Sequence, residues 1–334
     1  MTVNREALGG ETGSVDGAQA PSAGPAATGT KNRVRKSTPW GEIALFTGPA
    51  LVVFATFVIL PVVLAGYVSF FHWDGGGDLG KFIGFENYSN VLKDSVFISS
   101  MKNNAFIVVM SLLIQGPLAL GVALLMNRKL RFRAAFRTMI FVPYVVAEVI
   151  AGAMWRLILD QRGVLNTALL QLGVFDKPAD AIGWLSDTDL VMWTMMFVLT
   201  WKYVGLAIIL FLAGLQGVPD EVLEAASIDG ASWWQVQRRI TIPLLGPTIR
   251  VWMFLSIIGS IQLFDMARLL TNNGAPFDTT YTMAMFVIDR AVRMRQYGYA
   301  TAAAIVLFVI SLTAALLFMR FVMRRDNQGE GGAA

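Results

Sequence analysis

The sequence predicts an all-α polytopic membrane protein of six transmembrane helices, and two observations lead to it. Apolar residues make up 55% of the 334-residue chain and charged residues only 15%, against about a quarter charged in a soluble domain. A water-soluble fold of this length keeps a large polar exterior, so a bilayer must replace water around much of the surface. The apolar runs, moreover, are continuous and about twenty residues long, roughly twice the length of the alternating strands of a transmembrane barrel. In hydrocarbon every backbone N–H and C=O needs a partner within its own segment, and over continuous runs of this length helices meet that need.

In chain order, residues 1–38 are rich in Gly, Ala, Ser, Thr and Pro and hold almost no large apolar side chain, which predicts a disordered tail. No apolar stretch with a cleavage site marks it as a secretory signal. The tail ends in Lys31, Arg33, Arg35 and Lys36, directly before the first apolar run. Six runs follow, at about 43–71, 104–126, 138–159, 190–214, 248–270 and 300–322, each near the length that crosses a bilayer. Pro49, Pro61, Pro117 and Pro143 lie within or at the ends of these runs. Membrane helices accept them because neighbouring groups satisfy the carbonyls they release. One transmembrane domain is expected over 39–325, with a short tail over 326–334.

Positive charge predicts the direction of insertion. Arg128, Lys129, Arg131, Arg133 and Arg137 crowd the link between the second and third runs. Arg238, Arg239 and Arg250 lie between the fourth and fifth, and Arg320, Arg324 and Arg325 close the sixth. With the cluster at 31–36 these fall on one side, while Asp74, Asp78, Glu86, Asp176, Asp180, Asp187 and Asp189 fall on the other. Arg290, Arg293 and Arg295 depart from the pattern, partly offset by Asp278 and Asp289. Both termini and the 326–334 tail are therefore expected in the cytoplasm. The net charge of +4 belongs to this topology and does not mark a nucleic-acid-binding surface.

The polar segment between the fourth and fifth runs, 218–247, reads VPDEVLEAASIDGASWWQVQRRITIPLLGP. It exceeds the two to eight residues of an ordinary helix connection. Pro219 and Asp220 can start a helix, with Asp220 and Glu221 favourable at its positive end. Val222, Leu223, Ala225, Ala226 and Ile228 supply an apolar stripe, and Asp229-Gly230 breaks it. A second short helix, Ala231 to about Ile240, carries Trp233 and Trp234 and is closed by Pro243 and Pro247. An amphipathic helix resting on lipid is the bland alternative for the first helix. Ala225 and Ala226 offer little area to bury in lipid, whereas small side chains suit close approach of another protein.

The run Glu224-Ala225-Ala226, Asp229-Gly230-Ala231, Ile240 and Pro243 resembles the EAA loop of ATP-binding-cassette importer permeases. The resemblance covers about 40–325 and is nearest to the sugar permeases of the maltose and glycerol-3-phosphate type. Tyr67-Val68-Ser69-Phe70, Gly84-Phe85-Glu86-Asn87-Tyr88 and the stretch from Phe136-Arg137 to Pro143 are similar to that family, as are Ala213-Gly214-Leu215-Gln216 before Pro219 and Tyr297-Gly298-Tyr299-Ala300. Asn273-Gly274-Ala275-Pro276 stands where the family often has Gly-Gly-Pro, and Ile242 replaces the leucine before the closing proline, a volume-conserving change. The extra helices and large external domain of the maltose member have no counterpart here.

The resemblance implies that the helix carrying Glu224, Ala225, Ala226, Asp229, Gly230 and Ala231, closed by Pro243, sits in a cleft of a cytoplasmic ABC ATPase subunit. It implies a second permease subunit and an extracytoplasmic solute-binding protein, in a bacterial plasma or inner membrane. The chain itself has no G-x-x-x-x-G-K-[ST] phosphate loop, so nucleotide energy is expected from a partner.

Ionisable residues at membrane depth are functional candidates. Glu148 in the third run and Lys202 in the fourth lie at similar estimated depths, so an ion pair that orients the two helices is one expectation and solute contact the other. Gln262 and Asp265, beside Phe264 on the fifth run, suit a hydroxyl-rich solute that needs hydrogen bonds and an apolar platform. Trp201, Tyr203 and Trp252 either join them or pack between helices. No cofactor is expected. Cysteine is absent and His72 is the only histidine, which cannot build a zinc site. No nucleophile-plus-base cluster suggests an enzyme. The competing expectations are an importer permease for amino acids, peptides or ions, and a secondary transporter, which would be expected to show repeated halves.

Overall fold

The structure, a computed structural model, describes residues 40–128, 133–276 and 278–322. The two expected tails, together with Lys129, Arg131, Arg324 and Arg325, lie outside the described residues. Among the described residues four helices are each long and apolar enough to cross a bilayer: Ala44–Val68, Ser95–Met126, Val191–Leu215 and Tyr297–Phe321. Two bent pairs, Ala134–Val145 with Glu148–Gln171 and Trp233–Leu244 with Gly246–Ile261, bring the number to six if each crosses as one span.

Three of the expected runs take a different form. The second begins at Ser95 and not near 104, because Asp94 caps it: its Oδ1 accepts from the backbone N–H of Val96 at 2.9 Å and of Phe97 at 3.4 Å. The third, expected as one helix over 138–159, is broken after Val145 and restarts at Glu148, with a bend of 95° between its parts. The fifth, expected over 248–270, ends at Ile261, and a separate short helix covers Asp265–Leu270.

Prolines shape the spans in a regular way. Wide π-helical turns at Ala55–Ile59, Ser111–Gln115 and Gln237–Thr241 each end two residues before a proline: Pro61, Pro117 and Pro243. A proline lacks the N–H that its turn requires and its ring crowds the carbonyl four residues back. Widening that turn by one residue gives the ring room, so these prolines are accommodated without breaking the helix.

The chain divides into two units, Met1–Val53 and Phe54–Ala334. In the first, Leu45, Phe46 and Leu51 of the Trp40–Phe54 helix are exposed, as suits a surface bathed in lipid. In the second, one cluster gathers Phe97, Met195, Met266, Met285 and Phe286, and another gathers Ala119, Ala123, Ile208, Phe211 and Trp252. Val191–Leu215 supplies residues to both and is the most buried of the four long helices, 56% against 22% for Tyr297–Phe321. Its Gly205 lies so close to the Ile140 carbonyl that a Cβ would come within 2.2 Å of the oxygen. The absence of a side chain is what lets the Arg133–Val145 helix pack there. A two-stranded hairpin, Phe71–His72 against Lys81–Phe82, was not foreseen from the apolar pattern, since strands this short carry no periodic signal.

Candidate functional site

The break after Val145 gathers a cluster of polar groups from two helices that lie close together. Ending the Arg133–Val145 helix at Val145 leaves carbonyls without intrahelical donors. The buried Lys202 (2% exposed) supplies them: its ammonium donates to the carbonyls of Pro143 at 3.0 Å, Tyr144 at 2.8 Å and Val146, and lies 5.8 Å from the centre of the Tyr144 ring. A positive charge at a helix C-terminus is favourable electrostatically as well. Glu148, in the first turn of the next helix, accepts a 2.6 Å hydrogen bond from the Tyr203 hydroxyl. Lys202 and Glu148 are thus brought to the same break, but not as the direct ion pair that was one expectation. Each has its own hydrogen-bond partners, backbone carbonyls for the ammonium and the Tyr203 hydroxyl for the carboxylate.

Gln262 caps the end of Gly246–Ile261, and Asp265 opens Asp265–Leu270; both are exposed. The intervening Leu263 carbonyl accepts from Thr282 Oγ1 at 2.8 Å. The Asp265–Leu270 helix packs on Glu148–Leu159, where a Cβ on Gly152 would come 3.0 Å from Leu269 Cβ. Two restarted helices, each with an acid in its first turn, therefore lie side by side. Trp201 packs edge-on against Trp155, 5.3 Å between centres. Trp252 is buried over Gly116 and beside Phe211, so it serves as a packing residue.

In the 218–247 segment the first helix is Asp220–Ile228, and Gly230 follows at φ +78°. The Gly230 N–H donates to Ser227 O and the Ala231 N–H to Ala226 O, a Schellman stop that needs a left-handed residue. Of this helix only Ala226 is buried; Glu224, Ala225, Ile228, Asp229 and Gly230 are exposed and Ala231 half-buried. The second helix starts at Trp233, two residues later than the expected Ala231, and runs past Ile240 to Leu244. Ser232 caps it, accepting from Gln235 N while the Gln235 side chain accepts from Ser232 N. A π-helical turn then leads to Ile242–Leu244 and the exposed Pro243.

The apolar pattern did not reveal a second polar network, at the other ends of the spans. Arg290 pairs with Asp94 at 2.9 Å, and Asp94 also accepts from Tyr299 at 3.0 Å. Asp289 lies 3.2 Å from Arg268 and 3.7 Å from Arg293 and accepts from Tyr281 at 2.6 Å. Burial, and then that bond, push the Tyr281 hydroxyl to ionise well above its ordinary range, so it stays a neutral donor. Nearby, the buried Asn104 donates to the carbonyls of Ser260 and Ile261 and accepts from Met283 N, tying three elements together. An asparagine within an apolar run was the one available signal of this role.

The family described as "Binding-protein-dependent transport system inner membrane component" matches residues 115–326. The chain is 32% identical to the diacetylchitobiose uptake system permease protein NgcF of Streptomyces coelicolor, over 92% of this chain and 90% of that one. It is 31% identical to the lactose transport system permease protein LacF of Rhizobium radiobacter, over 85% and 94% respectively. Among solved structures, a chain of a bacterial ABC transporter involved in import of the acidic polysaccharide alginate shares the fold, with a TM-score of 0.74, 24% identity, and coverage of 85% of this chain and 98% of that one. Together with the broken, multi-span helical architecture, these matches make the chain a member of the binding-protein-dependent transport system inner membrane component family.

Proposed function

We propose that this chain is a permease subunit of a sugar-importing ATP-binding-cassette transporter, forming half of the pathway for a sugar or related polyol. As a member of its family the chain is a multi-pass transport subunit and not an enzyme, and the transport it serves depends on a binding protein. The observation that carries the coupling part of this reading is the Asp220–Ile228 helix, which stands exposed on a Schellman stop with its small side chain Ala225 outward. In this reading Glu224, Ala225, Ala226, Asp229, Gly230, Ala231 and Pro243 contact a cytoplasmic ATPase subunit. Each bent pair crosses once, giving six spans, and a second permease completes the pathway. ATP binding then biases a two-state equilibrium between inward- and outward-open forms.

The ion pairs at the opposite ends of the spans support cytoplasmic termini. Arg290 pairs with Asp94, and Arg268 and Arg293 share Asp289, so part of the charge of the basic loop that departs from the pattern is compensated. Relatives named for diacetylchitobiose and lactose uptake favour a sugar as solute. Around the break, Tyr203, Glu148, Gln262 and Asp265 offer hydroxyl-matching donors and acceptors, with Trp201 behind them and Lys202 holding the break in shape. The test is uptake into vesicles holding the complete transporter. A labelled disaccharide delivered by the binding protein should accumulate with ATP while an amino acid should not; uptake of the amino acid alone would replace the sugar reading.

A further inference from the structure

Beyond the Gly230 turn the chain follows Trp233–Leu244 and then bends by 66° into Gly246–Ile261. A segment set at that angle to a span runs closer to the membrane plane than to its normal. Its surface is mixed: Trp234 is 62% exposed, Leu244 49% and Trp233 39%, and Arg238 and Arg239 are exposed beside them. The two indoles lie 6.1 Å apart. Arg128, just past the end of Ser95–Met126, lays its guanidinium 4.3 Å from the centre of the Trp233 ring. Trp234, Gln235, Arg238 and Arg239 line a hollow of about 350 Å³. No Asp or Glu occurs anywhere from 231 to 261, and among the described residues no carboxylate stands within ion-pair distance of Arg238 or Arg239.

We infer that this hollow holds the phosphate of an anionic phospholipid headgroup. Exposed indoles at the end of a span settle at the headgroup level, and basic side chains beside them meet the negative surface of the leaflet. Arg238 and Arg239 supply charge-assisted N–H donors to the phosphate oxygens, Arg128 adds a third positive charge held on Trp233, and Trp234 and Leu244 lie against the upper acyl chain. A zwitterionic headgroup gains less, because its own ammonium offsets the attraction. Continuity with a span and the mixture of aromatic, aliphatic and unopposed basic side chains favour lipid over the ATPase subunit. The small-residue surface suited to a protein lies on the other side of Gly230. The inference rests on the reading of 218–247 as a loop at the bilayer surface, and it assigns the two halves of that loop different partners.

The experiment is a lipid titration of the full-length chain in detergent, followed by native mass spectrometry, with phosphatidylglycerol and phosphatidylcholine as the probes. Phosphatidylglycerol should be retained preferentially. Arg238→Gln with Arg239→Gln should weaken that retention by roughly ten-fold or more, from about five-fold per arginine near a charged surface. Phosphatidylcholine binding and the thermal midpoint should stay unchanged, since both side chains are exposed. Trp234→Ala should weaken both lipids. Equal retention of the two lipids, or a double variant with wild-type selectivity, overturns the inference. So does displacement of the lipid by millimolar inorganic phosphate, which would make this a soluble-anion site, or by the ATPase subunit, which would make it a protein contact. The titration contains no ATPase in its first arm, so its failure leaves the coupling reading standing, whereas a transport defect at Gly230 tests coupling alone.

Discussion

At the scale of single residues, Gly230 and Lys202 separate two kinds of function. Nothing lies within 4 Å of a Cβ added to Gly230, but its φ of +78° is left-handed. For most side chains that conformation costs roughly 1–2 kcal/mol, and Asp is among those that tolerate it best. Gly230→Asp should therefore leave folding and membrane insertion intact while abolishing transport, because the added carboxylate stands where the ATPase is proposed to sit. If the complex carrying it still hydrolysed ATP in response to loaded binding protein, the docking assignment would fail. Lys202 acts inside the chain. Lys202→Met leaves the carbonyls of Pro143, Tyr144 and Val146 without their donor, which should cost roughly 1–3 kcal/mol, read as a lower thermal midpoint in detergent. Because Glu148 bonds to Tyr203 and not to Lys202, adding Glu148→Gln should not rescue it; a double variant as stable as the wild type would revive the direct pair. Gly230 was legible in the sequence because a glycine after Asp229 ends a helix by local chemistry. The partners of Lys202 were not, since the acceptors are backbone atoms about sixty residues away, and every residue has a carbonyl.

At the scale of elements, helix ends carry the information that hydropathy lacks. Asp94 caps Ser95–Met126 and also binds Arg290 and Tyr299, so it joins the start of one span to the start of another. Asp94→Ala should remove the cap, worth about 0.5–2 kcal/mol, and strand Arg290, whereas Asp94→Asn keeps the cap and loses only the charge. Thermal unfolding should rank wild type above Asn and Asn above Ala; equal Asn and Ala variants would mean that the charge alone matters. The apolar run near 104–126 concealed this start because 95–103 mixes Ser, Lys and Asn with Val, Phe, Ile and Met, and a hydropathy average discounts it. The prolines were visible as tolerated residues, while the wide turns before Pro61, Pro117 and Pro243 follow from ring geometry that only coordinates report.

At the scale of the whole molecule, the proposed orientation makes a direct prediction. The chain has no cysteine, so single cysteines introduced in place of the exposed Ser227 and Asp78 report sidedness without background. In intact cells an impermeant thiol reagent should label the cysteine at 78 and spare the one at 227; the reverse pattern would invert the topology and remove the coupling reading with it. By itself the sequence determined that the chain is a set of membrane helices, where most of the apolar spans lie, and that a helix stops at Gly230. These depend on sums over neighbouring residues: apolar length, and the backbone freedom of one glycine. Only the tertiary structure decided that the third and fifth apolar runs are interrupted and which charges pair. A helix can stop inside a membrane-depth segment only if other groups satisfy the backbone it abandons. Those donors are Lys202 for the break at 146–147, and Asn104 and Thr282 for the one at 262–264, brought from segments far away in the chain.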